Sequence, residues 1–246
     1  MRVHVLGMGE VGRRLAGALD RAGATIVPVT RAAGWDTLAQ GDGPVLVCVR
    51  EEALAELLPR LGEFGDHRLV FVQNGWVRPW LEAMPNCTRG LIWFTSKGEF
   101  FQVLRPSPFA GPLAQSLAAL LSAGGIPCTA LDSAAFAAAD VEKMAFNCVV
   151  GLPLAVAGVS LGEYLTRWPD EARAVFDETV TVLGRAVGVD PQPEWWNAFC
   201  ESVEPLSWVR VSAAKALELR NGAVVREAYR LGLAAPVNER LLAAVS

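Results

Sequence analysis

Residues 1–12 read MRVHVLGMGEVG, and this stretch decides the fold. Val3 and Val5 give residues 2–6 the β-branched character of a strand, and Gly7, Gly9 and Gly12 follow at once. Residues 13–22 then repeat apolar side chains at helical spacing. The order is strand, glycine turn, helix, the setting in which G-x-G-x-x-G carries meaning. Gly7 permits a tight turn, Gly9 lets the backbone approach a pyrophosphate, and Gly12 lets the helix pack closely on the strand. The N–H groups that open the helix, with its dipole behind them, favour a phosphate. Gly7, Met8, Gly9, Glu10, Val11 and Gly12 are therefore the expected cofactor turn; a close-packed βα turn with no ligand is the alternative.

Outward from this turn, Gly23 caps the helix and residues 24–29 (ATIVPV) form a second strand. The residue at its end selects the cofactor. NAD enzymes place Asp or Glu ~20 residues past the glycine turn to meet the ribose 2′-OH, whereas a cation suits the 2′-phosphate of NADP. Here the residues are Thr30 and Arg31. A guanidinium grips a phosphate with paired hydrogen bonds and stacks on adenine, so Arg31 points to NADP, with a solvated loop arginine as the alternative. Asp36 lies too far along to be the expected acid, although a bend could bring it back.

Residues 32–43 read as a short polar connection without a helix. Residues 44–49 (PVLVCV) show the continuous apolar run of a parallel strand covered on both faces. Arg50, at its carboxyl end, is a second candidate for a cofactor phosphate, or simply a surface arginine. The strand at 68–72 ends at Gln73-Asn74-Gly75, where Asn-Gly marks a sharp turn on its own account. Strands follow at 90–94 and 100–104, a helix at 113–122 and a last strand at 126–131. From Asp132 onward only helical segments remain, one of them opened by Pro169. The expected fold is α/β: a Rossmann domain with a doubly wound, mostly parallel sheet over 1–135, then an all-helical domain over 136–246.

Composition narrows the partners. A length of 246 residues accommodates two such domains, and a net charge of −4 gives no reason to expect nucleic acid or an anionic membrane. The most apolar segment, 144–159, contains Asn147, Gly151 and Pro153 and falls short of the ~20 residues a membrane span needs. The five cysteines are scattered, odd in number and never in C-x-x-C spacing, which argues against a disulfide framework or a zinc site. No signal peptide is read at the start of the chain, so the cytoplasm is the expected location. His4 lies inside a strand and His67 in a polar turn, leaving little scope for imidazole catalysis, and no metal is expected. No G-x-S-x-G elbow occurs.

The chemistry is expected at Val141-Glu142-Lys143-Met144-Ala145-Phe146-Asn147. Lys143 and Asn147 are four apart and share one helical face in an apolar setting. Desolvation would favour the neutral amine and so make Lys143 a better proton donor near neutral pH, while Asn147 could orient a carbonyl or hydroxyl. The alternative is Lys143 paired with Asp140 or Glu142 at a helix surface, and Asn147 as a satisfied buried amide.

Four features in order along the chain resemble the ketopantoate reductase (2-dehydropantoate 2-reductase) family. They are the N-terminal glycine fingerprint, the strand ending in Asn74-Gly75, the helix EKMAFNCVV, and the ending NGAVV (221–225) with Gly232 and PVNERL (236–241). The resemblance implies a Rossmann domain followed by a helical domain of the 6-phosphogluconate dehydrogenase type, with NADPH and a 2-oxo acid meeting between them. It implies Lys143 as general acid, Asn147 on the substrate, Arg31 and Arg50 on cofactor phosphates, Asn74 on the ribose and nicotinamide side, and Thr95 in a backbone contact with the cofactor. Ser207 loosely matches the substrate serine, and Glu218 stands where the family usually has Asp. A homodimer is a further option for the helical half.

The departures lie on the substrate side. The family's Glu five residues before the Asn of N-G is Ala216 here, its second asparagine is Gly151, and the aromatic two before the lysine is Val141. The chain is also shorter than the family pattern. The leading expectation is NADPH-dependent reduction of a small 2-oxo acid, ketopantoate first. Two alternatives are a reductase of another carbonyl or imine, and an NADP-binding sensor that has lost catalysis.

Overall fold

In a computed structural model, residues 1–30, 34–39 and 41–245 are described. Arg31, on which the expectation of NADP rests, lies outside them. The chain divides into two compact units, 1–136 and 137–246.

The first unit runs β1 (Arg2–Leu6), α1 (Glu10–Arg21), β2 (Thr25–Val29), α2 (Asp36–Ala39), β3 (Val45–Val47), α3 (Glu51–Gly62), β4 (Leu69–Phe71), β5 (Thr88–Gly90), β6 (Phe94–Lys97), β7 (Phe100–Val103), β8 (Ser107–Ala110), α4 (Ala114–Ala123) and β9 (Cys128–Ala130). Seven strands form one sheet in the order β2-β1-β3-β4-β5-β8-β9. All its pairings are parallel except β5 with β8. β3, β4 and β5 are buried along their whole length, as parallel strands covered on both faces must be. β2 pairs only with β1, and Pro28, which has no N–H to give a second neighbour, sits on this edge strand. One face of the sheet packs Val3, Val5, Leu46, Val70 and Phe109 against Leu15 and Leu19 of α1 and Leu117 and Leu121 of α4.

Two local expectations are corrected. The connection after β2 contains one helical turn, α2, whose Leu38 is fully buried. Arg68 fixes this segment from beneath, its guanidinium donating to the carbonyls of Leu38 (3.1 Å) and Gly43 (3.0 Å). The strand expected at 90–94 is interrupted: β5 stops at Gly90, and β6 belongs to a separate two-stranded hairpin with β7. The Leu91 amide still donates to the Pro108 carbonyl of β8 (2.9 Å), and side chains take the next two. Asn74 Oδ1 accepts from the N–H of Ile92 (3.1 Å) and Ser107 Oγ from that of Trp93 (3.0 Å).

The boundary falls inside α5 (Ser133–Val150), which Asp132 caps by accepting from the N–H of Ala135. The second unit continues with α6 (Leu152–Ala157), α7 (Leu161–Arg167), α8 (Pro169–Val187), α9 (Trp195–Val203), α10 (Asn221–Leu231) and α11 (Pro236–Ala243). Prolines open α8 and α11, where a missing N–H costs nothing. The Glu178 carboxylate of α8 accepts from the N–H groups of Val237 (2.8 Å) and Asn238 (3.0 Å), satisfying the start of α11. It also accepts from Asn238 Nδ2, while Asn238 Oδ1 accepts from Asn221 Nδ2 (2.9 Å), which reaches the Cys148 carbonyl (3.3 Å). Asn221 and Asn238 are almost fully buried, so this chain of amides ties α5, α8, α10 and α11 together.

Candidate active site

The first cluster is built from strand ends. Strand order reverses at β1, with β2 on one side and β3 on the other, and a crevice opens at the carboxyl ends of such strands. Here it is a cavity of about 600 Å³ lined by Leu6 to Gly9, Val29, Thr30, Trp35, Cys48 to Arg50, and Ala53, Glu56 and Leu57 of α3. Gly7, Met8, Gly9 and Arg50 therefore share one wall system.

The three glycines divide by physical role. Gly7 has φ +96°, and a Cβ there would lie 2.9 Å from the backbone of Cys48 and Val49. A Cβ on Gly12 would lie 2.0 Å from the Gly7 carbonyl oxygen. Packing alone demands glycine at both positions. Gly9 differs: a Cβ there would meet nothing within 4 Å, and its φ of −74° is open to any residue. Gly9, in the crevice wall, also caps the 12-residue α1 without a side-chain partner for the first amides of the helix. A close-packed turn without a ligand accounts for Gly7 and Gly12 and leaves Gly9 unexplained. An approaching pyrophosphate accounts for Gly9, and in this respect the residues present fit a dinucleotide.

The other expected cofactor residues have structural contacts outside that lining. Glu10 pairs with Arg13 (2.8 Å) and accepts from Ser96 Oγ (3.1 Å). The Ser96 hydrogen bond is the main reason its carboxyl lies below the ordinary range. Arg14 Nε donates to Ser96 Oγ (3.0 Å) and its guanidinium lies over Phe101, so α1 holds the hairpin that carries Thr95. Val11 packs partly against the sheet core. Asn74 makes the Ile92 contact given above. Trp35, which sequence reasoning did not single out, stands in the crevice wall with the Arg60 guanidinium 4.4 Å from its ring.

The second cluster lies on α5. Lys143 and Asn147 are both buried, one turn apart on the same helix, and Asp140 is buried one turn before Lys143. The Lys143 ammonium stands 4.6 Å from the centre of the Phe146 ring, within reach of a cation–π contact. Lys143 is thus not at a helix surface. Ser207 is exposed; its carbonyl accepts from the N–H of Gly162 (2.8 Å). Glu218 is exposed and paired with Arg226 (2.8 Å). Neither shares the burial of Lys143 and Asn147.

Among the described residues no group of three His, Cys, Asp or Glu side chains could hold a metal ion, and no helix is long and apolar enough to cross a membrane. Burial pushes the Cys48 thiol, in the crevice wall, well above the ordinary range.

Comparison with known proteins places this architecture. No protein-family model matches the sequence, and no curated protein matches it. Solved structures do, and what they share with this chain is the fold of its whole length. In particular, the chain shares its fold with a PanE/ApbA family ketopantoate reductase from Ralstonia eutropha JMP134, at TM-score 0.78 and 19% identity, over 100% of this chain and 97% of that one. A D-mandelate dehydrogenase in complex with NADH matches at TM-score 0.78 and 16% identity, again over 100% and 97%. A ketopantoate reductase from Staphylococcus aureus, described as dimeric, matches at 0.74 and 15%, over 98% and 96%.

Proposed function

We propose that this chain is an oxidoreductase that reduces a small 2-oxo acid to the 2-hydroxy acid with NADPH, ketopantoate being the first substrate to try. The observation that carries the reading is the buried pair Lys143 and Asn147 on α5, an ammonium and an amide one helical turn apart with an aromatic ring beneath the cation. The similar folds of ketopantoate reductases and of D-mandelate dehydrogenase support 2-oxo acid chemistry.

The nicotinamide, when bound, supplies the hydride. The chain's residues do the rest. Gly9 and the first amides of α1 take the pyrophosphate, and Arg50 takes a phosphate charge. Lys143 Nζ gives a proton to the substrate's carbonyl oxygen as negative charge develops there, and Asn147 donates a hydrogen bond that orients the same group. Hydride on carbon and proton on oxygen together give the hydroxy acid.

The choice of NADP over NAD rests on Arg31, which follows Thr30 at the end of β2. The D-mandelate dehydrogenase structure holds NADH, so the preference is tested directly. Oxidation of NADPH and NADH is followed at the nicotinamide absorbance with a panel of 2-oxo acids. Arg31→Ala is expected to weaken NADPH by about tenfold or more and NADH by far less, the usual scale of a charge-assisted contact. Equal effects would remove the NADP assignment. A homodimer, supported by the dimeric S. aureus structure, is read by light scattering.

A further inference from the structure

Beyond Lys143 and Asn147, we infer that Arg220 binds the carboxylate of the 2-oxo acid and so sets the preference for acids over neutral carbonyls. The inference rests on the reading of a 2-oxo acid given above.

Three observations place Arg220 for this role. Its Nη1 lies 4.0 Å from the point a Cβ on Gly151 would occupy, at the end of the helix face that carries Lys143 and Asn147. That same Cβ would stand 2.8 Å from the Asn147 carbonyl oxygen, so a side chain at 151 is disfavoured and the face stays open to the guanidinium. Next, the neighbouring residue anchors it. Asn221 Nδ2 donates to the Cys148 carbonyl, one residue beyond Asn147, and to Asn238 Oδ1. The backbone of Arg220 is thus held beside the end of α5 by buried amides, and its Nε is buried. Finally, the segment leading to it is strained. Ala216, buried and at φ +49°, ψ +42°, is the one non-glycine residue in the left-handed region among those described. Such conformations cost of order 1–3 kcal/mol and cluster where function requires a fixed geometry.

Glu218, two residues before Arg220, is exposed and turned to Arg226. A guanidinium meets a carboxylate with two parallel hydrogen bonds, and its planar fork leaves Asn147 and Lys143 for the adjacent carbonyl.

The test compares a 2-oxo acid with its methyl ester, using the full chain and saturating NADPH. Arg220→Gln is expected to raise KM for the acid by about 30-fold, the scale of a lost hydrogen bond to a charged group, and to leave KM for the ester and Kd for NADPH within about twofold. In Arg220→Ala, added guanidinium chloride at millimolar concentration is expected to restore acid turnover in part, which a merely structural arginine would not show. If the Gln variant does not fold, Arg220→Lys keeps the charge without the fork and is expected to raise KM for the acid several-fold. Parallel changes for acid and ester, an unchanged acid KM, or no rescue would overturn the inference while leaving the reductase reading intact. A wild-type chain that reduces neutral carbonyls but no 2-oxo acid would overturn both.

Discussion

The glycine turn of the first unit and the polar cluster of the second are built in opposite ways. The crevice at Gly7 to Gly9 is built at the ends of adjacent parallel strands, so its lining comes in short consecutive runs such as 6–9, 29–30 and 48–50. The cluster at Lys143 and Asn147 is made of side chains, and its support arrives from α8, α10 and α11 through buried amides. Backbone sites tolerate changes wherever a Cβ finds space. Side-chain sites depend on each member and on whatever orients it.

The largest effect is expected where chemistry and burial coincide. Lys143→Ala should lower kcat for 2-oxo acid reduction by about 10²- to 10⁴-fold, the range for loss of a positioned general acid, with little change in NADPH affinity. Steady-state kinetics paired with a fluorescence titration of NADPH separates the two. A variant with undiminished kcat would remove Lys143 from the mechanism.

Next in size is a contrast within the glycine turn. Gly9→Ala adds a Cβ into open space at an ordinary φ, so the thermal midpoint should hold while dinucleotide affinity falls by about tenfold. Gly12→Ala forces a Cβ against the Gly7 carbonyl and should instead cost stability, about 1–3 kcal/mol or more by denaturant titration. Should Gly9→Ala leave binding untouched, the turn is a packing device and the crevice no longer has a dinucleotide to explain it.

The same contrast explains what the sequence made legible. The βα alternation and the glycine turn could be read because their determinants are local: strand runs, a turn and a helix start within a dozen residues. Lys143 and Asn147 could be read as a pair because four residues make one turn of helix. The ending N-G-A-V-V and P-V-N-E-R-L was noticed for its resemblance alone. Its physical task is to present Asn221 and Asn238 to Glu178 and to the end of α5, partners about 60 to 73 positions away. Asn74 was read as a turn or a cofactor contact, and its bond to the Ile92 amide spans 18 positions. Arg220 and Trp35 gave no signal at all. One follows a strained turn and the other a connection that reads as plain loop, and each gains meaning only from neighbours brought by the fold.

The smallest expected effect tests the first unit away from its crevice. His4 lies fully buried in β1. Burial first, and the nearby positive charges of Arg68 and Arg2 second, hold its imidazole below the ordinary value of 6.5. The sign follows from linkage: a group that resists protonation only when folded binds fewer protons in the native state. Stability is therefore fully present above about pH 6.5 and declines as pH falls through the window down to the lowered folded value, by at most about 1.4 kcal/mol per pH unit. Denaturant titrations between pH 7 and 5 should show this slope in the wild type and a weaker one in His4→Val, whose side chain suits a buried parallel strand. The two slopes being equal would mean that the imidazole is not the group responsible.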